Sequence, residues 1–190
     1  SINFKIKINS KVRFFLRKLL PSIFSSGVTQ INILVGTIIA SFEAGAVSYL
    51  YYADRIYQIN LAIAGIAIGT VVLPELSKKI KAGNISEVMI VQNKSIELCL
   101  LLSTPACLGL IIASEQITSA LFGYGSFLET DVFLTAQALK YFGFGVIAFA
   151  LIKVLSNFFF ARNNTKIPFY ISLFSVILNI IISVIYFKEF

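Results

Sequence analysis

Long apolar runs, separated by short polar or charged segments, dominate this chain. The run 21–42 contains no charged residue, and as a helix it would rise about 33 Å, enough to cross the hydrocarbon core of a bilayer. Because lipid offers no partners to backbone polar groups, such runs cross a membrane as helices. The pattern predicts an all-α, polytopic membrane bundle over residues 21–190, with about five transmembrane spans at 21–42, 46–73, 88–113, 132–160 and 167–187.

Prolines and polar clusters predict where these helices begin, bend and end. Pro74 is expected to stop the second span, and Pro105 is expected to kink the third. Ser86 with the nearby Glu87 indicates a helix start. The segment 114–131 is predicted to be a turn-rich connection that holds one short helix.

Residues 1–20 differ from the rest because they are basic and amphipathic. From Lys11 onward, basic side chains alternate with Phe and Leu. This pattern is typical of a loop that leads into a short helix lying in the headgroup layer. We therefore expect a basic linker and an interfacial helix ahead of the first span.

The charge distribution favours a membrane over nucleic acid as the partner of this basic chain. Only 13% of the residues are charged, against about 25% in soluble domains. The net charge of +7 comes from basic residues that lie between apolar runs, so we predict contacts with membrane lipids and no nucleic-acid binding. The basic segments 1–20, 78–81 and 162–166 alternate with the acidic loops 43–45 and 114–131. By the positive-inside rule, the N-terminus is cytoplasmic and these acidic loops face outward.

The residue inventory argues against catalysis. There is no His, and the chain holds two Cys and one Met, so we predict no metal site, no cofactor and no enzymatic activity. Cys99 and Cys107 lie eight residues apart on one apolar run. On a helix their Cα atoms would be about 12 Å apart, too far for a disulfide.

A charged pair interrupts the second span at the sequence YYADRIYQ. Tyr51, Asp54, Arg55 and Gln58 gather on one side of a helix, about 14 Å from its outer end at Arg55. An ionised side chain at this depth costs about 2.5–3.5 kcal/mol unless it meets water or a partner. Arg55 is therefore interpreted as lining a hydrated cavity, where its guanidinium binds a phosphate-bearing substrate. An internal ion pair that holds two helices together and snorkelling to the outer interface are the alternatives.

Other small or polar residues on the spans are candidates for helix packing or for lining the cavity. The polar stripe continues at helical spacing to Gly65 and Gly69, which favours close approach of another helix. Lys153 either lines the cavity or snorkels toward the cytoplasm. Asn32, on the first span, either lines the cavity or bonds across helices.

The segment SYLYYADRIYQINLAIAGIAIGTVVLPELSK resembles the MurJ/MviN lipid II flippases, which carry a YYADR-type segment followed by a Gly-rich helix and VLP.LS. Other segments agree in order, including RFFLRKLLPSIFSSGVTQIN, LCLLLSTPACLGLIIASEQITSALFGYGSF and KVLSNFFFARNNTKIP. The resemblance covers nearly the whole chain. It implies part of a fourteen-helix, two-lobed transporter, spanning about helices seven to eleven, with the N-terminal lobe missing.

What the resemblance implies about function is specific. Such transporters flip the lipid-linked peptidoglycan precursor lipid II, or a similar polyprenyl-pyrophosphate lipid, across the bacterial inner membrane by alternating access. Arg55 would match a cavity arginine of the second lobe, and Lys153 a lysine of the KVL segment. The first span has no acid between Pro21 and Phe42, which departs from family members that use a sodium site there.

Two other functions remain open from the sequence. One is an exporter of another polyprenyl-linked oligosaccharide within the same superfamily. The other is an inactive or structural membrane fragment from a split gene, because five helices without a partner lobe cannot enclose a two-lobed cavity.

Overall fold

A computed structural model describes Gly27 and residues 30–187 of the chain. The predicted linker at 1–20 and most of residues 21–29 lie outside the described residues. The described elements, in chain order, are α1 Gln30–Ala40, α2 Ala46–Leu61, a π-helical segment Ala62–Ala67, α3 Ile68–Lys81, α4 Ile85–Ile112, α5 Ser114–Phe122, α6 Glu129–Ala161 and α7 Lys166–Phe187. The prediction of an all-α fold is confirmed for this part of the chain.

Four of the described helices are long and apolar enough to cross a membrane. They are Ala46–Lys81, which joins α2, the π-helical segment and α3 without a break, then Ile85–Ile112, Glu129–Ala161 and Lys166–Tyr186. These helices overlap the segments 46–73, 88–113, 132–160 and 167–187, which stay predictions as membrane spans. α1 is apolar but shorter, and the N-terminal part of the predicted first span lies outside the described residues.

The helix does not stop at Pro74, contrary to the expectation from the sequence. α3 continues through Pro74 to Lys81. A proline inside a helix removes one backbone hydrogen bond. Here Val72 and Leu76, on either side of Pro74, are both buried in the hydrophobic core, and this burial offsets the loss.

The start of α4 also differs from the expectation. Its N-cap is Asn84, whose side-chain oxygen accepts a hydrogen bond from the backbone N–H of Glu87 at 3.3 Å. Ser86 lies inside the first turn and donates its hydroxyl to Asn84 Oδ1 at 2.9 Å. Asn84 is the cap because its side chain satisfies an amide that has no partner within the helix. α4 then continues through Pro105 to Ile112.

The chain divides into two compact units, Ser1–Ile39 with Asn164–Phe190, and Ala40–Asn163. In the second unit α6 is central, because α2, the π-helical segment, α3, α4 and α5 all pack against it. Small and β-branched side chains dominate the buried stripe of α6: Val132, Thr135, Ala136, Leu139, Gly143, Val146, Ala150, Val154 and Ala161. Small side chains allow helix backbones to approach closely, which is how membrane helices gain packing energy.

Glycines allow neighbouring helices to pack closely against α6. A Cβ placed on Gly65 would lie 3.3 Å from Lys153 Cβ and 3.4 Å from Ala150 Cα. A Cβ on Gly143 would lie 3.1 Å from Leu110 Cβ on α4. Since these neighbours are held by their own helices, a larger side chain at either glycine must push two helices apart.

We expect Gly65→Leu to destabilise the detergent-solubilised protein by about 1–3 kcal/mol, because the side chain overpacks the interface with α6. The measurement is the thermal unfolding midpoint followed by circular dichroism. Gly109→Leu is the matched control, since Gly109 also lies within a helix but a Cβ there meets nothing within 4 Å. Equal midpoints for the two variants would contradict the close approach at Gly65.

Candidate functional site

The polar residues of α2 occupy the face of the helix that is turned away from the core. Ala53, Ile56 and Tyr57 are buried on the opposite face. Arg55 is exposed, and Tyr51 is 54% exposed. The arrangement follows from helical periodicity, because apolar residues at three- and four-residue spacing orient the remaining positions outward.

Tyr51 holds the guanidinium of Arg55 in place. Arg55 Nη2 donates a hydrogen bond to Tyr51 Oη at 2.8 Å, and Arg55 Cζ lies 4.6 Å from the centroid of the Tyr51 ring. This i, i+4 pair combines a hydrogen bond with a cation–π contact. A guanidinium carries five N–H donors, so most of them stay available to a ligand.

The Asp54 carboxylate is not directed toward Arg55. Its Oδ2 accepts a hydrogen bond from Gln58 Nε2, one helical turn along. Among the described residues no carboxylate lies within ion-pair distance of Arg55. Adjacent residues on a helix point about 100° apart, and the two i, i+4 pairs, Tyr51 with Arg55 and Asp54 with Gln58, take the place of the ion pair that the sequence left open.

Aromatic and polar contacts fix the N-terminal part of α2 against the rest of its unit. Tyr52 packs on Phe122 and Phe127, with ring centroids 4.9 and 5.3 Å away. The Tyr49 hydroxyl donates a hydrogen bond to Asp131 Oδ1 at 3.1 Å, across 82 residues of sequence. These five positioning residues were not predicted. The clustering of aromatic residues around 49–52 was the one visible signal, and it did not identify their partners.

The polar stripe and the two glycines do not share one surface, contrary to the expectation from helical spacing. Gln58 is exposed, whereas Gly65 and Gly69 are buried and meet α6. The π-helical segment Ala62–Ala67 lies between them. A π-helix has more residues per turn than an α-helix, so it rotates the following residues relative to the stripe.

Lys153 lies beside these glycines on α6, and its side chain is exposed. Asn157 lies one turn further along; its side-chain amide donates to Lys153 O at 3.0 Å and faces Gly69. Gly65 is ten residues, or about 15 Å, along the helix from Arg55. The structure therefore places Lys153 of α6 beside the middle of the helix Ala46–Lys81. It does not bring Lys153 to the guanidinium of Arg55.

Asn32 lies on α1, in the first compact unit. Its Oδ1 is buried, and within the described residues this oxygen has no hydrogen-bond partner. Elsewhere in the part of the chain that is described, Cys99 and Cys107 are buried and free, and no group of three or more His, Cys, Asp or Glu side chains could hold a metal ion.

Comparison with known proteins gives the family. Residues 2–190 match the sequence profile of the family described as "Lipid II flippase MurJ". The chain belongs to this family. Its full length also superimposes on 40% of a solved structure titled "Lipid II flippase MurJ, inward closed conformation", with a TM-score of 0.83 and 28% identity.

Individual MurJ proteins are also similar to this chain. The chain is 41% identical to a probable lipid II flippase MurJ of Rhizobium meliloti (strain 1021), over 92% of its length and 32% of that protein. It is 45% identical to the corresponding protein of Rickettsia prowazekii (strain Madrid E), over 84% of its length and 31% of the relative. The chain thus spans about a third of these relatives. Membership in the MurJ family, with the apolar helices, implies a multi-pass protein of the bacterial inner membrane.

We expect a cysteine at position 55 to react with a small, water-soluble methanethiosulfonate reagent in membranes, because the sequence predicts that position 55 lines a hydrated cavity and the Arg55 side chain is exposed. Ala53→Cys should stay unreactive, since Ala53 is fully buried. Leu101→Cys should stay unreactive too, because this side chain is 69% exposed near the middle of the candidate membrane span Ile85–Ile112, where surrounding lipid would disfavour the thiolate. Mass spectrometry measures the labelling, against a low background from the buried Cys99 and Cys107. Protection of Arg55→Cys equal to that of Leu101→Cys would place Arg55 against lipid.

Proposed function

We propose that this chain forms part of a flippase that moves lipid II, a lipid-linked peptidoglycan precursor, across the bacterial inner membrane. The observation that carries the proposal is the exposed guanidinium of Arg55, held by Tyr51 on the polar face of α2 and without a carboxylate partner among the described residues. The family and the names of the relatives support lipid II as the cargo.

The chemistry of Arg55 suits a pyrophosphate. The planar guanidinium presents parallel N–H donors to two phosphate oxygens. Tyr51 limits the rotamers of this side chain before the ligand arrives, which lowers the entropy lost on binding. Gln58 engages the Asp54 carboxylate, so this anion does not compete with phosphate for the guanidinium.

Lys153 has a secondary role in this proposal. Lys153, exposed on α6 at the level of Gly65, would attract the anionic parts of the headgroup at a second depth in the cavity. It does not replace Arg55, because only a guanidinium offers bidentate contacts with phosphate.

The unit Ala40–Asn163 is well suited to act as one moving body. Its helices share the small-residue interface along α6, and packed interiors of this kind transmit displacement without deforming. In alternating access, two such bodies rock about a central site. The chain covers about a third of its relatives, and we propose that a second lobe completes the cavity.

The proposed topology follows the charge distribution. The last turn of α3, which carries Lys78, Lys79 and Lys81, would face the cytoplasm together with the N-terminus. The connection between α5 and α6, with Glu129 and Asp131 at the start of α6, would face outward.

We expect Arg55→Ala in the complete transporter to abolish rescue of cells depleted of their own lipid II flippase. Loss of a charge-assisted contact to the headgroup should reduce transport by about tenfold or more. Arg55→Lys should rescue only in part, because an ammonium keeps the charge but cannot bind phosphate in a bidentate manner. Growth after depletion, with membrane protein levels measured by immunoblot, reports the outcome.

Arg162→Ala is the matched control for this experiment. Arg162 is also an exposed arginine stacked on an aromatic ring, with Cζ 3.6 Å from the centroid of Phe158, but it caps the far end of α6. It should rescue like the unmodified transporter. Full rescue by Arg55→Ala would remove Arg55 from the mechanism, and equal loss in both variants would indicate a general effect of surface charge.

The topology has its own test. In intact spheroplasts, a membrane-impermeant maleimide should label Ser126→Cys, in the loop before α6, and should label Ala82→Cys, in the loop after α3, only after lysis. Both positions are exposed in the structure, so burial does not explain a difference. The reverse pattern would invert the proposed orientation.

A further inference from the structure

A groove of about 530 Å³ runs between α3 and α4, on a different part of the unit from Arg55. Apolar side chains, among them Ile68, Val71 and Leu98, line one end. At the other end, next to the short turn that joins the two helices, Lys79 and Glu87 form an ion pair across the groove. The groove therefore changes from apolar to charged along the helix axes.

Two further charged side chains line the groove between these ends. Glu75 lies on the α3 wall and Lys94 on the α4 wall. Glu75 lies four residues before Lys79 on α3, which is about 6 Å along the helix axis. Lys94 lies seven residues after Glu87 on α4, which is about 10 Å along the axis. Both side chains are exposed, and among the described residues neither forms a hydrogen bond or an ion pair within 4.0 Å. Glu75 lies one helical turn before Lys79 and interacts with it electrostatically, but the Lys79 ammonium is already bound to Glu87.

This arrangement is costly in a membrane unless something completes it. A charged side chain on a membrane helix is unfavourable unless it meets water, a lipid headgroup or an opposite charge. Glu75 and Lys94 do not form an ion pair with each other across the groove. A ligand that carries one negative and one positive group, with an apolar tail, would satisfy both charges and fill the apolar end.

We propose that this groove binds a zwitterionic membrane phospholipid with a primary ammonium head, of the phosphatidylethanolamine type. Lys94 binds the phosphate, Glu75 accepts hydrogen bonds from the ammonium, and an acyl chain lies along Ile68, Val71 and Leu98. This lipid would be a resident ligand of the α3–α4 hairpin and not the transported cargo. The inference does not depend on the proposed flippase function, because it requires only that the hairpin lies in a bilayer.

The charges favour this ligand over other occupants. A purely anionic lipid would satisfy Lys94 but would place its head beside the Glu75 carboxylate. A further helix of a longer chain would have to supply a matching cation and anion at these two levels. The basic segment 1–20 of this chain carries cations and no carboxylate, so it would satisfy Glu75 and oppose Lys94.

Lipid titration of the purified complete transporter, followed by native mass spectrometry, tests the proposal. Phosphatidylethanolamine and phosphatidylglycerol of equal chain length serve as the probes. We expect the unmodified protein to retain one phosphatidylethanolamine in preference to phosphatidylglycerol. Lys94→Gln should weaken binding of both lipids by about tenfold, because the contact to phosphate is lost. Glu75→Gln should weaken binding of phosphatidylethanolamine and strengthen binding of phosphatidylglycerol, and this opposite pair of changes identifies the zwitterionic head.

Two more variants keep the test decisive. Lys81→Gln removes an exposed lysine from the same end of α3 that does not line the groove, and it should leave both affinities unchanged. Val71→Trp fills the apolar end without altering charge, so it should lower binding even if Lys94→Gln fails to fold. Unchanged binding in Lys94→Gln, Glu75→Gln and Val71→Trp would overturn the proposal. Failure of the unmodified protein to retain a phospholipid would overturn it as well, because another part of the chain would then cover the groove.

Discussion

The close packing of small side chains along α6 is the interaction on which the rest of the Ala40–Asn163 unit depends. In a bilayer, apolar side chains gain little by leaving lipid, so helices associate through fine van der Waals fit. Residues such as Gly143 and Ala150 let α2, α3 and α4 approach one central helix at once. The remaining side chains on these helices are then free to serve other purposes, because the small-residue stripe already holds the unit together.

The π-helical segment Ala62–Ala67 links this packing to the candidate site. It separates α2, where Arg55 and Gln58 are turned outward, from α3, where Gly69 is turned toward α6. A continuous α-helix would have carried the polar stripe and the glycines on one face. The extra residue in the π-turn lets one helix present a polar surface in one half and a packing surface in the other. Such turns often occur at functional sites.

The unit also carries two kinds of charged surface with different surroundings. Around Arg55, neighbouring side chains organise a single cation and keep the nearest carboxylate engaged elsewhere. In the α3–α4 groove, a cation and an anion face each other at a distance, next to an ion pair that is already satisfied. In our proposals, the first arrangement binds the polyanionic headgroup of a transported lipid transiently. The second binds a resident zwitterionic phospholipid.

The helices follow from the amino-acid pattern alone, because lipid excludes water and leaves long apolar runs no other way to satisfy their backbone. Arg55 also stands out from that pattern, since an ionised group on such a run is costly. Folding was needed to show that α3 continues through Pro74, that Asp54 pairs with Gln58, and that Tyr49 meets Asp131. These outcomes depend on burial, rotamer and helix phase, and partners that lie 82 residues apart leave no local pattern to reveal them.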